Sequence, residues 1–447
     1  MTRRDPWLLL ILLLPTLVLA LPSLERRAHA IHGNDGFLNF AYVRSLLVGG
    51  DLDFSDDYAD FDVIGQRRGY SFRMTDTPID PDTGRPVNRY GWGSSLLWSP
   101  LVLVAHGVAV ALPAVEADGL SEGYFFAVRF GSALWALLGL LALMAVARRR
   151  LGGDEASVLW AALALLAATN LGFYIYLHPS MSTAPAFGLA GLTIWQMDRL
   201  TERRSAARFF ALGLTLAVLC VTRYGDAALV AGLLPAAWAA GRRPRSERTS
   251  LEPPQMVPSL LAGVVPIALL QMLIWRALYG SLLSGPAPYL GDDYQWSLPG
   301  RHGFAVLFST DHGWITWHPL VLVGLMGLAV MVRDRSLPLW LRLLPLAVVL
   351  QWLAVSAWPV WSGGASFGGR LMATALAVVF LGLVVALRAM ARRWGRWSVA
   401  TVVGLLTLWN LGLMAQYALE MIPRQGSVAV LEVLRNQCHL IGKLVGL

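Results

Sequence analysis

An aspartate at position 35 lies in the run Ile31-His32-Gly33-Asn34-Asp35-Gly36-Phe37, about a dozen residues beyond the first apolar stretch of the chain. An ionisable group beside a membrane boundary, in a large outer loop, is a site candidate, and a carboxylate there suits a transferase whose donor is a lipid. The plainer role is a helix cap. From Asn34 to about Val48 the pattern reads as a short helix with Asn34 or Asp35 as N-cap, Phe37, Phe40 and Ala41 on one stripe, and Arg44 one turn beyond Phe40.

Three arginines stand where topology does not require a cation. Arg89, in Val87-Asn88-Arg89-Tyr90-Gly91-Trp92-Gly93-Ser94, offers a guanidinium beside glycine backbone, a suitable grip for a phosphate at headgroup depth. A side chain that simply reaches anionic lipid is the alternative. Arg223, in Thr222-Arg223-Tyr224-Gly225-Asp226, falls at an outer membrane edge and has Asp226 as an obvious partner. Arg370 closes Trp358-Pro359-Val360-Trp361-Ser362-Gly363-Gly364-Ala365-Ser366-Phe367-Gly368-Gly369-Arg370, where glycine amides and a cation at a helix start suit an anion. The plainer reading is a flexible turn with interfacial tryptophans.

Histidines add to this set. His302 and His312, in Arg301-His302 and Asp311-His312-Gly313-Trp314, share a loop with Asp292-Asp293, and His178 sits in His178-Pro179-Ser180-Met181-Ser182. No tight ligand spacing such as His-x-x-x-His occurs among them, so a polar, aromatic sugar site is expected before a metal site.

The elements that must position these residues follow from composition. Apolar residues make up 56% of the 447, charged residues only 14%, and there are 18 tryptophans, which defines a polytopic, all-α membrane protein. The net charge of +8 does not point to nucleic acid, because the Lys and Arg residues cluster between apolar runs. Cys220 and Cys438 lie too far apart in sequence to suggest a disulfide framework.

Apolar runs fall at 7–22, 124–147, 155–177, 181–198, 208–222, 226–240, 257–279, 315–332, 337–357, 371–391 and 397–417. Most approach the ~20 residues that a bilayer requires. The run 94–113 is ambiguous. If it stays outside as an interfacial or re-entrant helix, Arg148-Arg149-Arg150, Arg203-Arg204, Arg242-Arg243 and Arg392-Arg393 all fall inside. That choice gives eleven spans, an inside N-terminus and an outside C-terminus. The chain then divides into a first span (1–22), an outer loop with amphipathic jaw helices (23–123), a bundle (124–417) with an outer loop at 280–314, and an outer tail (418–447).

This arrangement resembles the C-type (GT-C) fold of lipid-dependent glycosyltransferases, especially the bacterial family 39-like proteins related to protein O-mannosyltransferases and aminoarabinose transferases. Gly33-Asn34-Asp35-Gly36 is similar to the family's acid motif, and Asn88-Arg89-Tyr90-Gly91-Trp92-Gly93 to a segment whose basic residue faces the lipid phosphate. The segments around His178, Phe308–Trp314 and Gly363–Arg370 are similar to motifs of bacterial relatives. Two departures matter: Asn34 replaces the first of two adjacent acids, and arginine stands at position 89 where lysine is usual. The first departure makes a divalent metal possible but not favoured, and no other cofactor is expected. No large soluble domain follows the last expected span, which argues against an acceptor-binding module of the oligosaccharyltransferase kind.

The resemblance implies a bacterial inner-membrane enzyme working on the outer side. A polyprenyl-phosphate sugar places its phosphate near Arg89 and Arg370, and Asp35 takes the proton of an acceptor hydroxyl as that oxygen attacks the anomeric carbon with inversion. Arg223, His302 and His312 are implied phosphate or sugar contacts, with His178, Asn34 and Arg44 as further sugar or acceptor candidates. The acceptor is a glycan, a glycolipid or a protein, in contact with membrane lipids. Two other classes share some of these features, a ligase or polymerase of lipid-linked glycans and a lipid-linked sugar flippase or transporter. The latter needs ionisable residues deep in its spans, whereas those singled out here gather on the outer side.

Overall fold

The computed structural model describes residues 33–67, 72–152, 154–242, 256–289 and 296–445. The expected first span and the Asp292-Asp293 pair lie outside these residues. Each expected run from 124 onward contains helix, because apolar side chains leave the backbone no water to bond and the α-helix satisfies it internally. The described helices begin with α1 (Gly33–Arg44), α2 (Ser55–Arg67), α3 (Gly93–Ala111), α4 (Glu122–Arg150), α5 (Glu155–Ala167), α6 (Thr183–Glu202), α7 (Ala206–Thr222), α8 (Ala227–Gly241) and α9 (Met256–Tyr279). After the 280s come α10 (Gly303–Phe308), α11 (Trp314–Trp317), α12 (Leu320–Arg333), α13 (Leu339–Leu343), α14 (Pro345–Ala357), α15 (Leu376–Trp394), α16 (Arg396–Ala418) and α17 (Val430–Val445). Among the described residues there is no strand, only an isolated antiparallel bridge between Ile79 and Pro86.

Six of the described helical stretches are long and apolar enough to cross a membrane, and α3 is one of them. It is 19 residues long, with Leu103, Val104, Val108 and Val110 more than half exposed. Helix α15 is the most enclosed: every side chain from Leu376 to Val384 is buried against neighbours that include α12, α5 and α4. The run 155–177 breaks after Ala167. There Thr169 Oγ1 donates back to the Leu165 carbonyl at 2.5 Å and accepts from the Leu171 amide at 3.2 Å, which opens the helix. The chain resumes as a widened turn in which the His178 amide bonds the Phe173 carbonyl at 2.9 Å.

Basic residues collect at one end of the bundle. Arg148 bonds Glu155 at 2.8 Å, Arg149 and Arg150 both reach Asp198, Arg204 bonds the Arg242 carbonyl, and Arg388 bonds the Leu151 carbonyl at 2.5 Å. Helix α7 runs from this end to Arg223 at the opposite one.

At the Arg223 end, the loop at 33–123 folds into a packed unit. Phe37 stacks on Phe61 at 4.6 Å, and Arg44 donates to Asp57 at 2.8 Å, to Asp60 at 2.6 Å and to the Asp118 carbonyl at 3.0 Å. The tail folds back as a helix: Gln416 Nε2 donates to the Val433 carbonyl at 3.2 Å and Gln437 Nε2 to the Trp409 carbonyl at 3.4 Å, so α17 runs antiparallel to α16.

Candidate functional site

Four separate segments meet at the Arg223 end. The loop before α3 lies flat on the end of α7 because Gly91 and Gly93 have no side chains. A Cβ at Gly91 would sit 2.0 Å from the Val221 carbonyl oxygen, and one at Gly93 would sit 2.4 Å from Thr222 Oγ1. This approach carries Arg89 and Tyr90 to the neighbourhood of Arg223. The second segment is the glycine-rich loop before α15. The Gly368 carbonyl accepts from Asn170 Nδ2 and sits 3.2 Å from His318 Nε2, while the Tyr174 hydroxyl donates to the Phe367 carbonyl at 3.0 Å and accepts from its amide at 2.9 Å. Gly369 adopts φ +56° with Trp314 so close that a Cβ would lie 2.8 Å from Cδ1, so only glycine delivers Arg370 here.

Asp35 stands in the first turn of α1, where the helix dipole favours an anion. Its carboxylate bonds chain-distant groups: Oδ1 accepts from the Tyr90 hydroxyl and Oδ2 from Arg370 Nη1, partners 55 and 335 residues away. Burial alone would push this carboxyl up, but the Arg370 guanidinium, the Tyr90 hydroxyl and the more distant Arg223 charge outweigh it and hold it below its usual value. Asp35 is therefore an anion at neutral pH. The same pairing, with burial, pushes the Tyr90 phenol well above its ordinary value, so that group stays a donor.

The sequence candidates fall at different places around this pair. Arg370 also donates through Nη2 to the Gly363 carbonyl at 3.2 Å, and its Nε is buried with no partner among the described residues. Arg223 braces the loop, giving bonds of 3.3 Å to the Arg370 carbonyl and 3.2 Å to Thr374 Oγ1, with Asp226 at 3.9 Å. The guanidinium of Arg89 is half-buried and makes no hydrogen bond or ion pair among the described residues; its charge bears on Tyr90 and Tyr58. Asn34 Oδ1 is buried without a partner among the described residues. Arg44, by contrast, is committed to Asp57 and Asp60 and serves the architecture of the loop.

Two histidines lie within the field of Arg370. His178 packs its ring 4.5 Å from Phe173, and burial, then the Arg424 and Arg370 cations, push it down to about 3. His312, at φ +60°, has Nε2 3.0 Å from the Arg424 carbonyl, and burial lowers it below the ordinary imidazole value. Both are neutral rings at physiological pH. His302 lies further along the loop, stacked on Trp361 at 6.3 Å. Among the described residues no group of three His, Cys, Asp or Glu is placed to hold a metal.

Two residues escaped the sequence reading. Tyr90 was visible only as part of a motif, since a neutral phenol carries no charge signal. Arg424 lies in the tail, where the Gly426 amide donates to Asp311 Oδ1 at 3.1 Å and so brings the segment against the His312 loop. The signal for it is the run of polar and glycine residues between the last span and the amphipathic α17.

No family model and no curated protein matches the chain. Among solved structures, apo ArnT from Cupriavidus metallidurans aligns over 100% of this chain and 76% of its own, with a TM-score of 0.50 at 15% identity. The same protein bound to undecaprenyl phosphate gives a TM-score of 0.48 at 15% identity over the same shares. The apo oligosaccharyltransferase of Archaeoglobus fulgidus gives 0.46 at 12% identity, over 95% of this chain and 56% of that one. At such identities the likeness speaks for the fold. The chain is an all-α polytopic membrane protein with the GT-C fold. Within that class its architecture is similar to that of ArnT.

Proposed function

We propose that this protein is an inverting glycosyltransferase that moves a sugar, hexose or pentose, from a polyprenyl-phosphate donor to an acceptor hydroxyl on the outer face of a bacterial inner membrane. One observation carries the reading: an ionised Asp35 is held beside Arg370, next to a loop whose Arg89 has no partner among the described residues. A half-buried cation without a counter-ion suits an anionic ligand. The donor phosphate takes that place, with Arg370 within reach, and the charge that develops on it as the glycosidic bond breaks is stabilised by fixed cations. Asp35 receives the acceptor's proton as the hydroxyl oxygen attacks the anomeric carbon, and one displacement inverts its configuration. His312 and His178, neutral and near Arg370, are sugar contacts. The acceptor is a glycan, a glycolipid or a protein.

The test uses purified protein with Asp35→Asn, assayed with polyprenyl-phosphate sugars and envelope acceptors. Donor binding is retained and transfer falls by roughly three orders of magnitude. Wild-type transfer by this variant removes Asp35 as the base.

A further inference from the structure

Asp35 has two oxygens, and the groups that hold them are fixed in different ways. Arg370 reaches Oδ2 from the glycine-rich loop, its backbone carbonyl held by Arg223 and its Nη2 by the Gly363 carbonyl, but its Nε is unspent and its Nη1 is also 3.5 Å from Met181 Sδ. Tyr90 reaches Oδ1 from a backbone fastened to the helix that carries Asp35. The Tyr90 amide donates to Asn88 Oδ1 at 3.0 Å, Asn88 Nδ2 donates to the Leu38 carbonyl at 2.9 Å, and the Tyr42 hydroxyl donates to the Tyr90 carbonyl at 2.8 Å. Leu38 and Tyr42 belong to α1, as does Asp35, so the phenol and the carboxylate keep one register. Gly91, the next residue, is pressed on the Val221 carbonyl and closes the remaining direction.

We propose that Tyr90 is the positioning residue of the transfer: it retains Asp35 Oδ1 while Arg370 turns to the donor phosphate, and so presents Oδ2 to the acceptor hydroxyl. The inference rests on the reading of Asp35 as base. In the step, the hydroxyl proton passes to Oδ2, the acceptor oxygen bonds the anomeric carbon, and the bond from that carbon to the phosphate oxygen breaks, releasing polyprenyl phosphate. Without Tyr90 the freed carboxylate rotates about its Cβ–Cγ bond and populates unproductive orientations, a loss in kcat and not in donor affinity. The charged and titratable groups that face Asp35 are Arg370 from the glycine-rich loop, Arg223 from the end of α7 and Tyr90 itself, with Arg89 beside Tyr90.

The experiment measures kcat, KM and the acid limb of the pH–rate profile for the full chain in lipid nanodiscs, using whichever polyprenyl-phosphate sugar the wild type turns over. Tyr90→Phe is expected to lower kcat about tenfold or more with donor KM unchanged, and to move the acid limb to higher pH, because a carboxylate deprived of a donor is easier to protonate. Placing 3-fluorotyrosine at position 90 keeps the shape but strengthens the donor, so the limb moves to lower pH; this second variant decides the matter if Tyr90→Phe fails to fold. An acid limb unmoved in both, with only thermal stability reduced, overturns the positioning role. If Asp35→Asn is inactive while both Tyr90 variants match the wild type, only the Tyr90 inference fails; if Asp35→Asn is active, the base assignment fails with it.

Discussion

At both ends of the bundle a carboxylate faces arginines, yet the two ends are built on opposite terms. At the basic end Asp198, fully buried, pairs with Arg149 and Arg150, whose guanidiniums also reach Thr201 and Glu202 from the same stretch of α6, while Asp198 Oδ2 is met only as an ion pair. At the other end Asp35, Tyr90, Arg223 and Arg370 come from four segments of the chain, and polar atoms are left over: Arg370 Nε, Asn34 Oδ1, His312 Nδ1 and Trp314 Nε1 are buried without partners among the described residues. Leaving a buried donor unbonded costs on the order of 1–3 kcal/mol. The ends differ in how their groups are assembled: the basic cluster draws on α4 and one stretch of α6, whereas the Asp35 cluster is gathered from segments up to 335 residues apart.

Charge removal separates the two ends most sharply. Arg370→Ala strips Asp35 of its ion pair and takes a cation from the proposed phosphate site, so kcat/KM is expected to fall by roughly two to three orders of magnitude. Unchanged kcat/KM would show that Arg370 only holds the loop. Asp198→Asn leaves Arg149 and Arg150 without their buried counter-charge. Because those guanidiniums are about a third exposed, solvent compensates part of the loss, and the expected cost is about 1–2 kcal/mol of stability. Transfer per folded molecule stays at the wild-type level. Thermal unfolding with parallel activity assays checks this, and a variant that folds normally but transfers poorly would erase the distinction between the ends.

The fold was far more legible in the sequence than the site. Hydropathy marks a span residue by residue, and the runs from 124 onward all contain helix. The break at 168–172 was missed, because the run resumes with apolar residues after Gly172, and Thr169 and Asn170, whose side chains bond the Leu165 carbonyl and the Gly368 carbonyl, read as isolated polar residues within a span. The tail read as an outer segment because its polar residues interrupt the apolar ones; the amides of Gln416 and Gln437 lay it along α16. Asp35 stood out as an acid beside an apolar run, and Arg89 and Arg370 as cations that topology leaves unexplained. Their pairing was not legible. The sequence suggested Arg89 and Arg370 near one phosphate; nothing in it marks that Arg370 also bonds a carboxylate 335 residues away while Arg89 bonds nothing among the described residues. Arg44 was read by its place beside an apolar stripe, and its partners Asp57, Asp60 and the Asp118 carbonyl are known only once the loop closes.

The smallest expected effect is the one that tells the two cations of the site apart. In the wild type Asp35 lies below the usual carboxylate value, so the ionised base persists as pH falls from neutrality, and activity is lost only in the acid range below that usual value. The sign for stability is the same. A depressed folded-state value gives stabilisation that is present above the unfolded value and lost as pH falls through the folded one, so the Asp35–Arg370 pair weakens only in that acid range. Arg370 is the strongest charge acting on Asp35, and its removal makes the carboxylate easier to protonate. The acid limb of Arg370→Ala therefore moves to higher pH. Arg89 acts on Tyr90 and Tyr58, and the charges on Asp35 are led by Arg370, so Arg89→Ala raises donor KM, about tenfold for one lost phosphate contact, while its acid limb moves less than that of Arg370→Ala. Limbs that shift equally in the two variants would mean that Arg89 acts on the base as Arg370 does, and that Arg89 is not a grip on the phosphate alone.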